Sequence, residues 1–150
     1  MRVYVASSWR NRYQPAVVRL LSEEGYDVYD FRHPVPGDDG FQWSEIDPRW
    51  QDWTPEQFRA YLDDPTACSG FELDMNALRA CDACVLVAPC GPSAHMELGW
   101  ACGAGKRTIV FMPEACEPEL MYRMVHGIAV SAYEMVQLLG DAGGGNDGER

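Results

Sequence analysis

Residues 83–88, Ala-Cys-Val-Leu-Val-Ala, form an unbroken apolar run without a charge or a turn residue. A strand with one wet face alternates apolar and polar side chains. A continuous run is instead the pattern of a strand buried on both faces of a parallel sheet. Helical stretches flank it. Residues 67–80 carry Phe71, Met75 and Leu78 on one helical stripe, and 93–104 end at Gly105. Residues 2–6, 27–31, 108–112 and 128–130 read as further strands. Residues 15–24 read as a helix with Val17, Val18 and Leu21 on one face and Gly25 at its end, and 118–125 as another helical stretch. Ser131-Ala132-Tyr133-Glu134 forms a capping box that opens a last helix. The alternation predicts an α/β fold, a doubly wound parallel five-stranded sheet with helices on both faces.

A chain of 150 residues, 47% of them apolar, is long enough for one core. Residues 1–139 are expected to form one domain. Residues 33–66 interrupt the alternation as an insertion holding Trp43, Trp50 and Trp53, three of the five tryptophans. Within it Thr54-Pro55-Glu56-Gln57 caps a short helix. Such an insertion can be a lid over a planar ligand, a hydrophobic plug or a subunit contact. Residues 140–150 are Gly/Asp-rich, the composition of a disordered tail.

Net charge is −11, from 12 basic and 23 acidic residues, which argues against a nucleic-acid polymer or an anionic membrane as partner. No apolar run approaches the ~20 residues of a membrane helix. Met1 leads straight into a strand pattern without a signal-peptide signature, so a cytoplasmic location is expected. The six cysteines then read as reduced thiols packed as small apolar residues. Cys81-Asp82-Ala83-Cys84 has C-x-x-C form, but no second pair follows at zinc spacing, and it lies between a helix and a strand rather than at a helix start.

Open parallel sheets bind ligands at the carboxyl ends of their strands, near the switch in strand order. That directs attention to 7–12, 32–36, 89–97 and 113–117. Within 89–97, Gly91 and Pro92 form a turn and Ser93 is a natural N-cap, so free amides at a helix start favour an anion or a sugar hydroxyl. Glu97 lies about one turn into that helix among apolar neighbours. An ionised, partly desolvated carboxylate there is a candidate nucleophile; its alternative is a glutamate interacting with the helix dipole. In the first loop Ser7, Ser8, Trp9 and Arg10 supply two hydroxyls, an indole and a guanidinium, suited to a sugar, a base and a phosphate. Asp74 is the best candidate for the second carboxylate that acid/base work on a glycosidic bond requires. His95 lies two residues before Glu97, within reach of a ligand. The histidines show no metal spacing, and neither G-x-G-x-x-G, a Walker lysine nor G-x-S-x-G occurs, so no metal and no cofactor is expected.

Val3-Tyr4-Val5-Ala6-Ser7-Ser8-Trp9 resembles the first strand and loop of the nucleoside 2-deoxyribosyltransferase family. His95-Met96-Glu97-Leu98-Gly99-Trp100-Ala101, with Gly105-Lys106 and an apolar strand after it, resembles that family's nucleophile segment. Asp74, 23 residues before Glu97, falls where the family places its base-contacting carboxylate. The likeness spans about 1–112 outside the insertion. It implies a flavodoxin-like fold, assembly as a homodimer or larger, Glu97 attacking the anomeric carbon, Tyr4 orienting Glu97, and Asp74 handling the proton at the base. Gly91, Ser93, His95 and Met96 would join the first loop in holding the substrate. The family contains transferases and hydrolases of nucleoside 5′-monophosphates, so both activities are implied. The transferases complete their sugar site with C-terminal groups of a neighbouring subunit, for which the Gly-rich tail offers no counterpart. A nucleotide-binding module without turnover is the alternative from another class.

Overall fold

The computed structural model describes residues 1–141. Five strands, β1 (Arg2–Ala6), β2 (Asp27–Asp30), β3 (Ala83–Val87), β4 (Arg107–Phe111) and β5 (Gly127–Ala129), build one parallel sheet in the order β2-β1-β3-β4-β5. This is the flavodoxin-like order, whose switch point lies between β1 and β3. The helices are α1 (Gln14–Glu23), α2 (Pro55–Tyr61), α3 (Pro65–Ala80), α4 (Pro92–Gly103) and α5 (Ala132–Gly140). By contacts the chain divides into two compact units, Met1–Tyr29 with the chain from Cys81 on, and Asp30–Ala80.

In the first unit β3 is buried at every position, as its apolar run requires. Alternate side chains go to opposite faces of a strand. Val3, Val5, Val85, Val87 and Ile109 pack in one cluster with Val17 and Leu21 of α1 and Met135 and Leu139 of α5. The other set, Tyr4, Ala6, Cys84, Leu86 and Val110, is equally buried and faces the opposite layer. There α4 lies across β3, β4 and β1, with Ala94, Leu98 and Ala101 turned inward.

The Asp30–Ala80 unit shows what the tryptophans do locally. Trp43 meets Phe41, Phe58 and Trp53 edge-on, with centroids 4.8, 5.6 and 5.7 Å away. Trp53 stacks on Tyr61 at 4.3 Å and donates its indole N–H to Asp47 at 2.7 Å. The insertion thus carries a small aromatic core of its own. Thr54 caps α2 reciprocally with Gln57, as expected.

Several local expectations change. Residues 120–124 form a 3-10 turn rather than an α-helix. Gly91, in extended backbone, is the N-cap of α4 and Pro92 its first residue, so Ser93 lies inside the first turn. Pro92 is preorganised for that first position and needs no N–H there. Ser131 caps α5, but Glu134 reaches back to the Val130 amide instead of that of Ser131. Phe71 is 59% exposed and is no core residue. Cys81 and Cys84 are buried and Cys90, Cys102 and Cys116 half-buried, while Cys68 is exposed. α5 runs through Gly140, into the stretch expected as tail; 142–150 lie outside the described residues.

Candidate functional site

Tyr4 lies in the middle of β1, fully buried, in register with Cys84 of β3. Its ring stacks on Tyr29 of β2 at 5.2 Å and 21°. Strand alternation places it on the α4 side of the sheet.

α4 brings Glu97 to the same layer. Ala94, Leu98 and Ala101 define the helix's inward face, and Glu97, half-buried, sits beside them. Its charge is felt by two thiols. Burial pushes the Cys90 thiol up to about 12, helped by the charges of Glu97 and Cys116. Burial likewise pushes Cys84 well above the usual thiol range, with Cys81 and Glu97 adding to it. Cys84 is the register partner of Tyr4. Tyr4 and Cys84 mark the strip where β1 meets β3, at the switch in strand order, on the face that α4 covers.

The loop after β1 is tied to the end of β3. Ser7, 9% exposed, donates its hydroxyl to the Val87 carbonyl at 2.9 Å. Asn11 donates to the Val87 carbonyl at 3.1 Å and to that of Pro89 at 2.9 Å. Its own side-chain oxygen accepts from the Tyr13 and Gln14 amides. Sequence reasoning passed over Asn11. The available signal was an asparagine just ahead of a helix start, where its side chain can hold the first amides.

Trp9 and Arg10 are exposed. A cleft of about 330 Å³ is lined by Ser8, Arg10, Asn11, Arg12, Tyr13, Pro89 and Glu114. On its wall Glu114 accepts from Tyr13 at 2.5 Å and from Arg12 at 2.6 Å. Those two hydrogen bonds, Tyr13 first, hold the Glu114 carboxyl below its ordinary value. Tyr13 and Glu114 in turn raise the Arg12 guanidinium. With Arg12 paired in this way, the positive charge best placed for an anion in the cleft belongs to Arg10.

His95 stands on another face of α4. Its Nδ1 lies 2.9 Å from the Gly91 carbonyl and its Nε2 3.0 Å from the Tyr122 hydroxyl. A carbonyl can only accept, so Nδ1 carries the proton and Tyr122 donates to Nε2. A larger cleft of about 590 Å³ runs along this face, between α4 and the 120–124 turn, with Cys90, Gly91, His95, Met96 and Tyr122 in its lining. Glu97 is not in that lining, because residues two apart on a helix point to nearly opposite sides. Of the residues nominated from the sequence, Gly91, His95 and Met96 line this larger cleft and Glu97 does not.

Asp74 is half-buried on α3, in the Asp30–Ala80 unit. Among the described residues no group of three His, Cys, Asp or Glu side chains is placed to hold a metal ion, and no helix is long and apolar enough to cross a membrane.

No family model matches the sequence, and no curated protein sequence matches it. Solved structures do match the fold. One is a 2-deoxyribosyltransferase from the psychrotolerant bacterium Bacillus psychrosaccharolyticus, superposing with a TM-score of 0.61 at 17% identity over 92% of this chain and 96% of that one. Another is a CMP N-glycosidase from Clostridium botulinum, with a TM-score of 0.53 at 21% identity over 93% of this chain and 99% of that one. The chain therefore has the fold of these two enzymes, along nearly the whole length of each.

Proposed function

We propose that this chain, acting as one domain over 1–139, cleaves or transfers the N-glycosidic bond of a nucleoside or nucleotide. What supports the reading is Glu97, half-buried on α4 beside the inward face of a helix that packs over β1 and β3, in a fold shared with a deoxyribosyltransferase and a nucleotide N-glycosidase. Glu97 attacks the anomeric carbon and the C–N bond breaks. Asp74 handles the proton at the departing base, and Tyr4 orients the nucleophile. The product of this step is a glycosyl ester of Glu97. A second base or water then attacks the same carbon and frees Glu97, and two inversions give net retention. Ser8, Trp9 and Arg10 of the first loop, with Gly91, Ser93 and Met96 at the start of α4, hold sugar, base or phosphate in this reading. Ser7 and His95 are engaged with backbone or Tyr122 and serve that site through the loops they hold.

Hydrolysis of a nucleoside 5′-monophosphate is the second reading, favoured by Ser8 and Arg10 in the 330 Å³ cleft. Assembly as a homodimer or larger is supported by the apolar side chains exposed in the lining of the larger cleft: Met96 at 76%, Met121 at 59% and Met124 at 50%. The test is incubation with a panel of nucleosides and 5′-monophosphates, with and without a second base, reading free and exchanged base by chromatography. Release of base without an acceptor identifies a hydrolase, and exchange identifies a transferase. No product from any member of the panel would leave a binding module.

A further inference from the structure

β1 and β3 pair in register from Val3↔Ala83 to Ala6↔Leu86. Past that pair, the loop after β1 is held to the end of β3 by the side chains of Ser7 and Asn11. We propose that Asn11 is a positioning residue, which sets the separation between the first loop and the β3–α4 turn and so the placement of α4 and Glu97. The kinetic part of this proposal rests on the N-glycosyl reading above; the structural part does not.

Asn11 is 5% exposed. Its two amide protons go to the carbonyls of Val87 and Pro89, at 3.1 and 2.9 Å, and its oxygen accepts from the amides of Tyr13 and Gln14, at 2.7 and 2.9 Å. One planar group thus ties together the end of β3, the turn into α4 and the start of α1. Two donors and one oxygen with two lone pairs are what an asparagine offers. Aspartate offers no donor when ionised and would set its charge against two carbonyl oxygens. Gln14, the first residue of α1, is fully buried beside this clip. Asn11 reaches Glu97 only through Pro89, Cys90, Gly91 and the first turns of α4. An effect on chemistry would therefore come through geometry, to which reacting groups are sensitive at the ångström level.

The test compares Asn11→Asp and Asn11→Ala with the native chain in three measurements: amide hydrogen exchange at Ala88, which donates to the Phe111 carbonyl, and at Met96 and Glu97 in the second turn of α4, thermal melting, and kcat and KM on the best substrate of the panel. At neutral pH exchange at those amides should accelerate at least tenfold in Asn11→Asp. kcat should fall at least tenfold while KM stays within threefold. Both should recover toward native on acidification, corrected for intrinsic exchange rates, because the introduced carboxyl regains a proton and can donate to Val87. Asn11→Ala should show the same loss without the acid recovery. Unchanged exchange in a folded variant would overturn the proposal. So would a melting loss with native kcat, or a rise in KM alone, which would mean direct substrate contact. If neither variant folds, Asn11 is a residue of stability and the positioning role is lost. If the native chain turns over nothing, the activity reading fails while the exchange measurement still decides the clip.

Discussion

The rings of His95 and Tyr122 lie parallel within 2°, with centroids 5.8 Å apart, and share a hydrogen bond of 3.0 Å. This contact joins α4 to the 120–124 turn. Tyr122→Phe removes the donor and leaves a half-buried imidazole nitrogen without it, a cost of about 1 kcal/mol. The expected fall in Tm is about 2–4 °C, and His95→Ala should cost more, since both ring hydrogen bonds go. Burial pushes the Tyr122 hydroxyl up from 10.0 to about 12. The unfolded chain therefore releases this proton first, and the contribution is present below pH 10 and lost as pH rises from there toward 12. Melting scans of native and Tyr122→Phe chains across that window should converge.

Glu97→Ala should abolish turnover and leave ligand binding largely intact, because the carboxylate matters more in the transition state than in the ground state. Mass spectrometry of enzyme quenched during turnover should show one sugar unit on the peptide containing Glu97. Inversion at the anomeric carbon, or full activity in the variant, would refute the assignment. Asp74→Asn should slow the reaction least for a base that leaves easily without protonation.

Arg10→Ala separates nucleotide from nucleoside. Loss of one charge-assisted hydrogen bond is worth about 1.5–3 kcal/mol, a tenfold to hundredfold weakening. A 5′-monophosphate should lose that much while its nucleoside is nearly unaffected; equal losses would give Arg10 a structural role. Arg12 should contribute less while Glu114 is ionised. The Glu114 carboxyl sits below its ordinary 4.5, so its pairing holds above that value and is lost only as pH falls through the lowered one. An NMR titration of the Glu114 carboxyl carbon checks this.

Gly70→Ala tests the aromatic core of the insertion. An added Cβ would stand 2.7 Å from Phe41 Cβ and 2.9 Å from Cγ, atoms too close to the backbone to swing away. A mid-helix alanine gains about 1 kcal/mol over glycine, whereas overpacking costs about 1–3. We expect a net loss of stability and a change in tryptophan emission, since Phe41 packs against Trp43.

Alkylation at pH 8 should label the exposed Cys68 well before Cys90. A thiol pushed up to about 12 is ionised in roughly one molecule in ten thousand at that pH. Peptide mapping after short exposure to iodoacetamide reads the order, and early labelling of Cys90 would contradict the raised pKa of its thiol.

The repeating strand-and-helix order was legible in the sequence because it depends on short-range pattern. The apolar run of 83–88 has one stable use, a strand covered on both faces, and the observed β3 is buried throughout. Positions of the strands and long helices followed from the same periodicity to within a few residues. The candidate Glu97 was legible too, since its place after a central strand is local. Tertiary structure alone decided what depends on partners distant in the chain. Asn11 takes its meaning from Val87 and Pro89, more than seventy residues away. His95 has its two ring nitrogens against Gly91 and Tyr122, and Tyr122, 27 residues on, is a partner that its place before Glu97 did not announce. Periodicity put Phe71, Met75 and Leu78 on one helix face but did not say what covers it, and of the three Leu78 is buried while Phe71 is exposed. A sequence specifies hydrogen-bonding capacity and apolar surface residue by residue; which groups meet is a property of the folded chain.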